Sequence, residues 1–196
     1  MRIIAGELRG RRIDVPRGVE LRPTYDRVRE SLFAMIEDRL AGARVLDLFA
    51  GTGSLGLESV SRGAAEVVFV EREPRVVEHL KRTIETLGVG DRCRVLRSDA
   101  VRFVTSPQRG REPFDVVFAD PPYDTDGARR VYGALDCWNG VAAGALVVLE
   151  HRVDDLLPAQ GARLRLRTVK RYGTIEIELH HVTEPDDHQR PSREDS

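Results

Sequence analysis

The chain has 196 residues, of which 41% are hydrophobic and 32% charged, and a formal net charge of -1. That suits one domain of ordinary size with a full core and excludes two large ones. Apolar stretches such as 141–149 are too short to span a bilayer, and Met1-Arg2-Ile3-Ile4-Ala5-Gly6-Glu7 lacks the apolar block of a signal peptide, so a cytoplasmic protein without membrane contact is expected.

Charge is spread unevenly. Residues 1–29 hold eight arginines against four acids, and residues 183–196 hold five acids against two arginines. The stretches 2–5 and 11–15 are short and β-prone around Glu7-Leu8-Arg9-Gly10, which predicts a basic β-hairpin extension over 1–22. After Pro23 a helix with Thr24 as N-cap carries Val28, Leu32, Ile36 and Leu40 at a spacing of four, one apolar face. From Arg44 onward, apolar runs at 45–49, 67–70, 94–96, 115–119 and 145–149 alternate with helical stretches, the pattern of a mostly parallel α/β sheet with helices on both faces. Residues 164–167 and 175–179 instead alternate apolar with charged side chains around Tyr172-Gly173, which predicts an antiparallel hairpin with one wet face. The main domain is expected over 23–182, and the polar residues 183–196 read as a disordered acidic tail.

Cys93 and Cys137 lack the paired spacing of a zinc site and no tight histidine cluster accompanies them, so free thiols and no metal are expected. His79 reads as a surface or satisfied histidine, and His151, His180 and His181 have no nearby Ser or Cys to suggest a triad. Trp138 reads as core.

Asp47-Leu48-Phe49-Ala50-Gly51-Thr52-Gly53-Ser54-Leu55-Gly56 follows the first strand and opens a helix. Glycines there let the backbone approach a ligand closely. The Gly51, Gly53, Gly56 spacing also suits a dinucleotide, with Glu71, at the end of the second strand, as the acid for both ribose hydroxyls. Asp47 adds a carboxylate under the turn, which repels a pyrophosphate and favours a cation. A cofactor with positive charge near its reactive end is expected, as in S-adenosylmethionine, with contacts from Asp47, Phe49, Gly51, Thr52, Gly53, Glu71, Asp99 and Ala100. Asp99, just after the third strand, can meet an adenine amino group.

Asp120-Pro121-Pro122-Tyr123 follows the fourth strand and opens onto the same crevice. An exocyclic amino group is a poor nucleophile because its lone pair is delocalised into the ring. Hydrogen bonds from its two hydrogens to the Asp120 carboxylate and a proline carbonyl draw the nitrogen toward a tetrahedral shape and stabilise its developing positive charge. Pro121 and Pro122 fix φ and so fix where their carbonyls point. Tyr123 offers a flat face to a planar substrate.

Residues 47–58 together with 120–123 resemble class I S-adenosylmethionine-dependent amino-methyltransferases. The string Arg2-Ile3-Ile4-Ala5-Gly6-Glu7-Leu8-Arg9-Gly10-Arg11, residues 21–33 (Leu21-Arg22-Pro23-Thr24-Tyr25-Asp26-Arg27 and onward) and Gly51-Thr52-Gly53-Ser54-Leu55-Gly56-Leu57-Glu58 are similar to the RsmD family of bacterial 16S rRNA guanine-N2 methyltransferases. Tyr25 departs from that pattern, where a second threonine is expected. The resemblance covers about residues 1 to 182. It implies a class I fold with a seven-stranded sheet, S-adenosylmethionine as cofactor, one guanine of small-subunit rRNA as target, presented on an assembled or assembling 30S particle, and no metal; a monomer is expected. Phosphate contacts are then expected from Arg2, Arg9, Arg11, Arg12, Arg22 and Arg27, and the target base leaves its stack to reach Tyr123.

Two other readings remain open on the residues alone. An adenine-N6 DNA methyltransferase fits residues 120–123 equally, although a target-reading domain would have to fit into few residues. A non-catalytic RNA-binding assembly factor with a vestigial pocket is the other, against which stand the intact Glu71, Asp99 and Asp120.

Overall fold

The computed structural model describes residues 1–15, 26–106, 112–122 and 126–184. In chain order these form α1 (Asp26–Ile36), a 3-10 turn (Glu37–Arg39), β1 (Arg44–Leu48), α2 (Ser54–Ser61), β2 (Glu66–Glu71), α3 (Pro74–Leu87), β3 (Cys93–Arg97), α4 (Ala100–Thr105), β4 (Phe114–Ala119), α5 (Gly127–Asp136), β5 (Val141–Arg152), β6 (Leu164–Tyr172) and β7 (Ile175–Val182). The strands make one sheet in the order β3-β2-β1-β4-β5-β7-β6. Pairing is parallel from β3 through β5, and β7 runs antiparallel to both β5 and β6.

The valine-rich runs of β1, β2 and β4 are buried on both faces, as a central parallel strand requires. On one face Val45, Val67, Phe69, Val116, Phe118, Leu146 and Val148 pack against α1, α2 and α3; on the other, Leu46, Leu48, Val117, Val147 and Leu149 pack against α4 and α5. Alternation along each strand therefore tells which side of the sheet any residue faces. Val28, Leu32, Ile36 and Leu40 are all buried, as their spacing predicts, and Trp138 is buried against Phe103 and Phe114. The N-cap proposed at Thr24 lies outside the described residues, as do Pro23, Tyr25 and the tail beyond Glu184.

The N-terminal segment doubles back as expected but makes a single antiparallel bridge, Arg2 with Arg12, in place of two paired strands. Residues 5–10 form turns, so little extended chain is left to pair. The segment is no free-standing appendage, because Ile3, Leu8 and Ile13 belong to the core on the α1–α3 face. Ile4 N donates to Glu58 Oε2 (2.7 Å) and Ala5 N to Glu58 Oε1 (3.0 Å), while Leu8 N donates to Ser61 Oγ (2.9 Å). Gly6, at φ +78°, lies so close to Ser61 that any Cβ would overlap its carbonyl oxygen.

On the α5 face of β5 and β7, Glu178 is held by two histidines. His180 Nε2 donates to Oε2 (2.8 Å), and His151 Nε2 stands 3.5 Å from Oε1. Burial alone would raise the Glu178 carboxyl, but the two histidines outweigh it and hold it at about 2; His151 is raised despite its own burial, because the Glu178 carboxylate stands 3.5 Å from its Nε2 and the Arg152 carbonyl accepts from its Nδ1. Glu178 therefore contributes stability that is complete above its ordinary 4.5 and is lost as pH falls toward 2. His151 contributes stability that is complete below 6.5 and is lost as pH rises through its raised value. Urea titrations between about pH 3 and 8 should show Glu178→Gln less stable than wild type by about 3 kcal/mol near neutrality, with the gap closing on the acid side.

Candidate active site

Four carboxylates stand in a row along the C-terminal ends of adjacent strands, and all four face α1–α3. Asp47 pairs in register with Phe69 of β2 and Phe118 of β4. Glu71 and Asp120 each follow two residues after those phenylalanines, and Glu150 two residues after Val148, so alternation puts them on the same side. In sheet order the row is Glu71, Asp47, Asp120, Glu150. Asp99 continues it beyond β3 as the N-cap of α4, its Oδ1 accepting from Arg102 N at 2.9 Å, with Ala100 buried behind it.

The turn between β1 and α2 is shaped by these acids. Glu71 Oε2 accepts from Gly51 N (3.0 Å), and its Oε1 from Arg72 N (2.7 Å) and Glu73 N (2.8 Å), which ties the glycine turn to the end of β2. Ala50 N donates to Val70 O (3.1 Å), closing the same corner. Asp47 Oδ2 accepts from Gly56 N (2.9 Å), so one first-turn N–H of α2 is already satisfied from below. Phe49 sits at φ +59°, a conformation that strains a residue with a Cβ. Gly53, at φ +77°, has Leu80 and Phe69 where a side chain would go, and Thr52 is buried beside it.

The electrostatics follow from the crowding. Asp47, 2% exposed, is pushed up to about 8, mainly by burial and further by the Glu71 charge, against the Gly56 hydrogen bond that lowers it. Asp120 is raised well above the ordinary carboxylate range by burial, then by Glu150, then by Asp47. Among the described residues neither Asp47 nor Asp120 pairs with an arginine or lysine. A row of buried and half-buried carboxylates, of which Asp47 and Asp120 resist ionisation, is a site short of positive charge, and a sulfonium or ammonium group answers that shortage. The residues present thus fit S-adenosylmethionine, with the glycine turn for close approach and the Glu71 end of the row for a ribose.

Pro121 is buried and Pro122 exposed after Asp120, at the mouth of the same crevice. Tyr123 and Arg22 lie outside the described residues. Arg2, Arg9, Arg11, Arg12 and Arg27 are all exposed, but they do not gather at the site. Arg11 donates to the Thr86 carbonyl in the last turn of α3 (2.9 Å), and Glu7 N to the Ser61 carbonyl that ends α2 (2.8 Å). Both helices run back from the strand ends, so Arg9 and Arg11 mark the opposite end of the sheet from the acids. Arg27 is in the first turn of α1, whose start lies at the acid end. Ser31 there accepts from the Tyr172 hydroxyl at the end of β6 (2.7 Å), whereas Glu37, past the helix, pairs with Arg62.

Glu150, 7% exposed, is the residue that the sequence puts at the end of the fifth strand near the crevice without giving it a role. Its position two residues past Val148 in an apolar run was the available signal, but only the pairing of β5 beside β4 gives it a neighbour. The described residues hold one further group with ligand-like spacing, His151, Glu176 and Glu178, within 4.8 Å of one another on the other face of the sheet. There His151 Nδ1 donates to the Arg152 carbonyl (2.8 Å), and its Nε2 faces Glu178 Oε1 at 3.5 Å. The free thiols are Cys93, half-buried and pushed up to about 12 mainly by burial, and exposed Cys137. No helix among the described residues is long and apolar enough to cross a membrane.

A family model described as "Conserved hypothetical protein 95" matches residues 1–181. The chain is 37% identical over 180 residues to "Ribosomal RNA small subunit methyltransferase D" of Escherichia coli strain K12, covering 92% of this chain and 89% of the relative. It is 38% identical over 155 residues to the protein of the same name in Haemophilus influenzae, covering 79% and 80%. The solved Escherichia coli protein yhhF superposes with a TM-score of 0.83 at 37% identity, over 93% of this chain and 98% of that one. At 15% identity, an RNA methyltransferase of Salinibacter ruber solved with S-adenosyl-L-homocysteine shares the fold alone, with a TM-score of 0.61. With an acid row at the strand ends, a strained glycine turn and relatives matched over nearly their whole length, the chain belongs to the RsmD family of ribosomal RNA small-subunit methyltransferases.

Proposed function

We propose that this protein methylates the exocyclic N2 of one guanine in 16S rRNA, using S-adenosylmethionine, and that it acts on the RNA within a 30S particle or an assembly intermediate. The observation that carries the reading is the acid row, in which Asp120 stands next to Asp47 and two strands from Glu71, so that the cofactor end and the substrate end share one crevice. Bound S-adenosylmethionine supplies a methyl group on a positively charged sulfur.

The chain's own residues do the rest. Glu71 takes the ribose hydroxyls with the oxygen edges left by its backbone partners, Asp99 meets the adenine amino group, and Asp47 contributes negative charge under the glycine turn. Asp120 and the Pro121 carbonyl hold the two hydrogens of the target amino group, and Tyr123 stacks on the base. Much of the rate comes from holding nitrogen and methyl carbon in line.

The exposed arginines support a long RNA footprint along the α1–α3 face, from Arg9 and Arg11 at the far end to Arg27 near the crevice. A folded rRNA domain spans that length, whereas a single flipped nucleotide does not. Small-subunit particles from a strain lacking the enzyme, incubated with labelled S-adenosylmethionine, should carry label on one guanine, located by mass spectrometry. Alanine at Arg9, Arg11 and Arg12 together should weaken RNA binding roughly ten-fold or more and flatten its salt dependence, with S-adenosylhomocysteine affinity unchanged by calorimetry. Label on duplex DNA and none on rRNA would reverse the assignment.

A further inference from the structure

The parallel register sets Ala119 beside Leu149, so the next residue of each strand, Asp120 and Glu150, are neighbours at the strand ends. Both face α1–α3, and Glu150 is buried. From the next strand on the other side, β7 offers Glu150 only Ile177. Among the described residues, the other charged groups on this face near the pair are Asp47 on β1, Glu71 on β2, exposed Arg152 two residues further along β5 and exposed Lys170 across Ile177 on β6; α1 contributes buried Arg29, which donates to the Arg2 carbonyl (2.7 Å). We propose that Glu150 and Asp120 work as a carboxylate dyad, in which Glu150 acts through Asp120 to make it the acceptor of the proton released by the methylated nitrogen. This rests on the methyltransferase reading above and deepens it.

The chemistry requires an acceptor. When the N2 lone pair forms its bond to the methyl carbon, sulfur keeps the electron pair of the broken carbon–sulfur bond and N2 carries one proton too many. That proton already lies in a hydrogen bond to Asp120 and passes along it to the carboxylate, which later returns it to water. An isolated carboxylate is a weak base for this task, and general-base efficiency rises with the proton affinity of the acceptor. Two carboxylates side by side hold one proton more tightly than either does alone, and the raised proton affinity of Asp120, with Glu150 its largest charged cause, agrees. Glu150 touches no reacting atom in this scheme; it is a positioning residue.

The test has one arm that needs neither cofactor nor RNA. Carboxyl carbon NMR titration of the wild-type protein, with signals assigned through Asp120→Asn and Glu150→Gln, should show Asp120 titrating well above the ordinary carboxylate range. Glu150→Gln removes the neighbouring charge, so Asp120 should lose its proton at lower pH, whereas Glu150→Asp should keep it high. In the second arm, single-turnover methylation of small-subunit particles should slow about ten-fold or more in Glu150→Gln, with its acid limb displaced to lower pH and particle affinity unchanged. An Asp120 titration that does not move in a folded Glu150→Gln protein overturns the proposal, as does a wild-type rate and pH profile. The titration arm is judged independently of whether rRNA is labelled, so loss of the functional reading and loss of the dyad are told apart.

Discussion

Asp120→Ala is expected to reduce methyl transfer to small-subunit rRNA by about 10²- to 10³-fold, the cost of removing a single preorganised group aimed at developing charge. The fold should survive. Asp120 is a carboxylate whose burial and whose neighbours Glu150 and Asp47 all disfavour its charge, so thermal melting of the variant should match or exceed that of wild type. Asp120→Asn separates two contributions. It keeps one side-chain oxygen to accept from the amino group but cannot take its proton, so its rate should fall between wild type and alanine. Labelling kinetics on particles, with melting as the control for folding, decide the matter. Wild-type labelling by the alanine variant would defeat the mechanism.

Glu58→Ala should be strongly destabilising. Glu58 is fully buried in α2, and its two oxygens satisfy the N–H groups of Ile4 and Ala5 while Oε1 also meets Arg62 Nε at 2.8 Å. Truncation leaves those donors without a partner in the interior and opens a cavity, a loss of about 3 to 5 kcal/mol. Because Ile3, Leu8 and Ile13 depend on that anchor to stay in the core, amide exchange over residues 1–13 should accelerate with the loss of global stability, and more than that of β1 and β4. RNA affinity should drop with it, since the arginines on this segment lose their fixed placement. A variant with wild-type stability in urea and unchanged exchange over 1–13 would show that the docking is not held by Glu58.

The strands and their faces were readable because period and composition are local properties. The runs at 67–70 and 115–119 lie on strands and that at 45–49 does up to Leu48, with Phe49 opening the turn, and Leu164 to Arg167 with Ile175 to Leu179 mark the antiparallel pair. The acids were readable for the same reason, since Glu71 and Asp120 each follow directly on an apolar run and Asp47 interrupts one just before the glycine turn. Asp99 was legible as an acid in the right place, but its N-cap bond to Arg102 shows that one of its oxygens is already used.

The N-terminal segment was the harder case. Its two short β-prone stretches suggested paired strands, whereas turns at 5–10 leave one bridge, and its placement depends on Glu58 and Ser61, more than 50 residues away. Likewise the spacing of Arg9 and Arg11 gave their charge and exposure but not that Arg11 lies over the last turn of α3, at the far end of the sheet.

What the sequence determined by itself was the order of strands and helices, the glycine turn and the acids that follow each strand, because those rest on neighbours a few residues apart. The tertiary structure alone decided that Glu150 stands beside Asp120, that two histidines converge on Glu178 and that Glu58 holds the first residues of the chain. Those are contacts between elements brought together by sheet order and register, and no local periodicity encodes which strand will lie next to which.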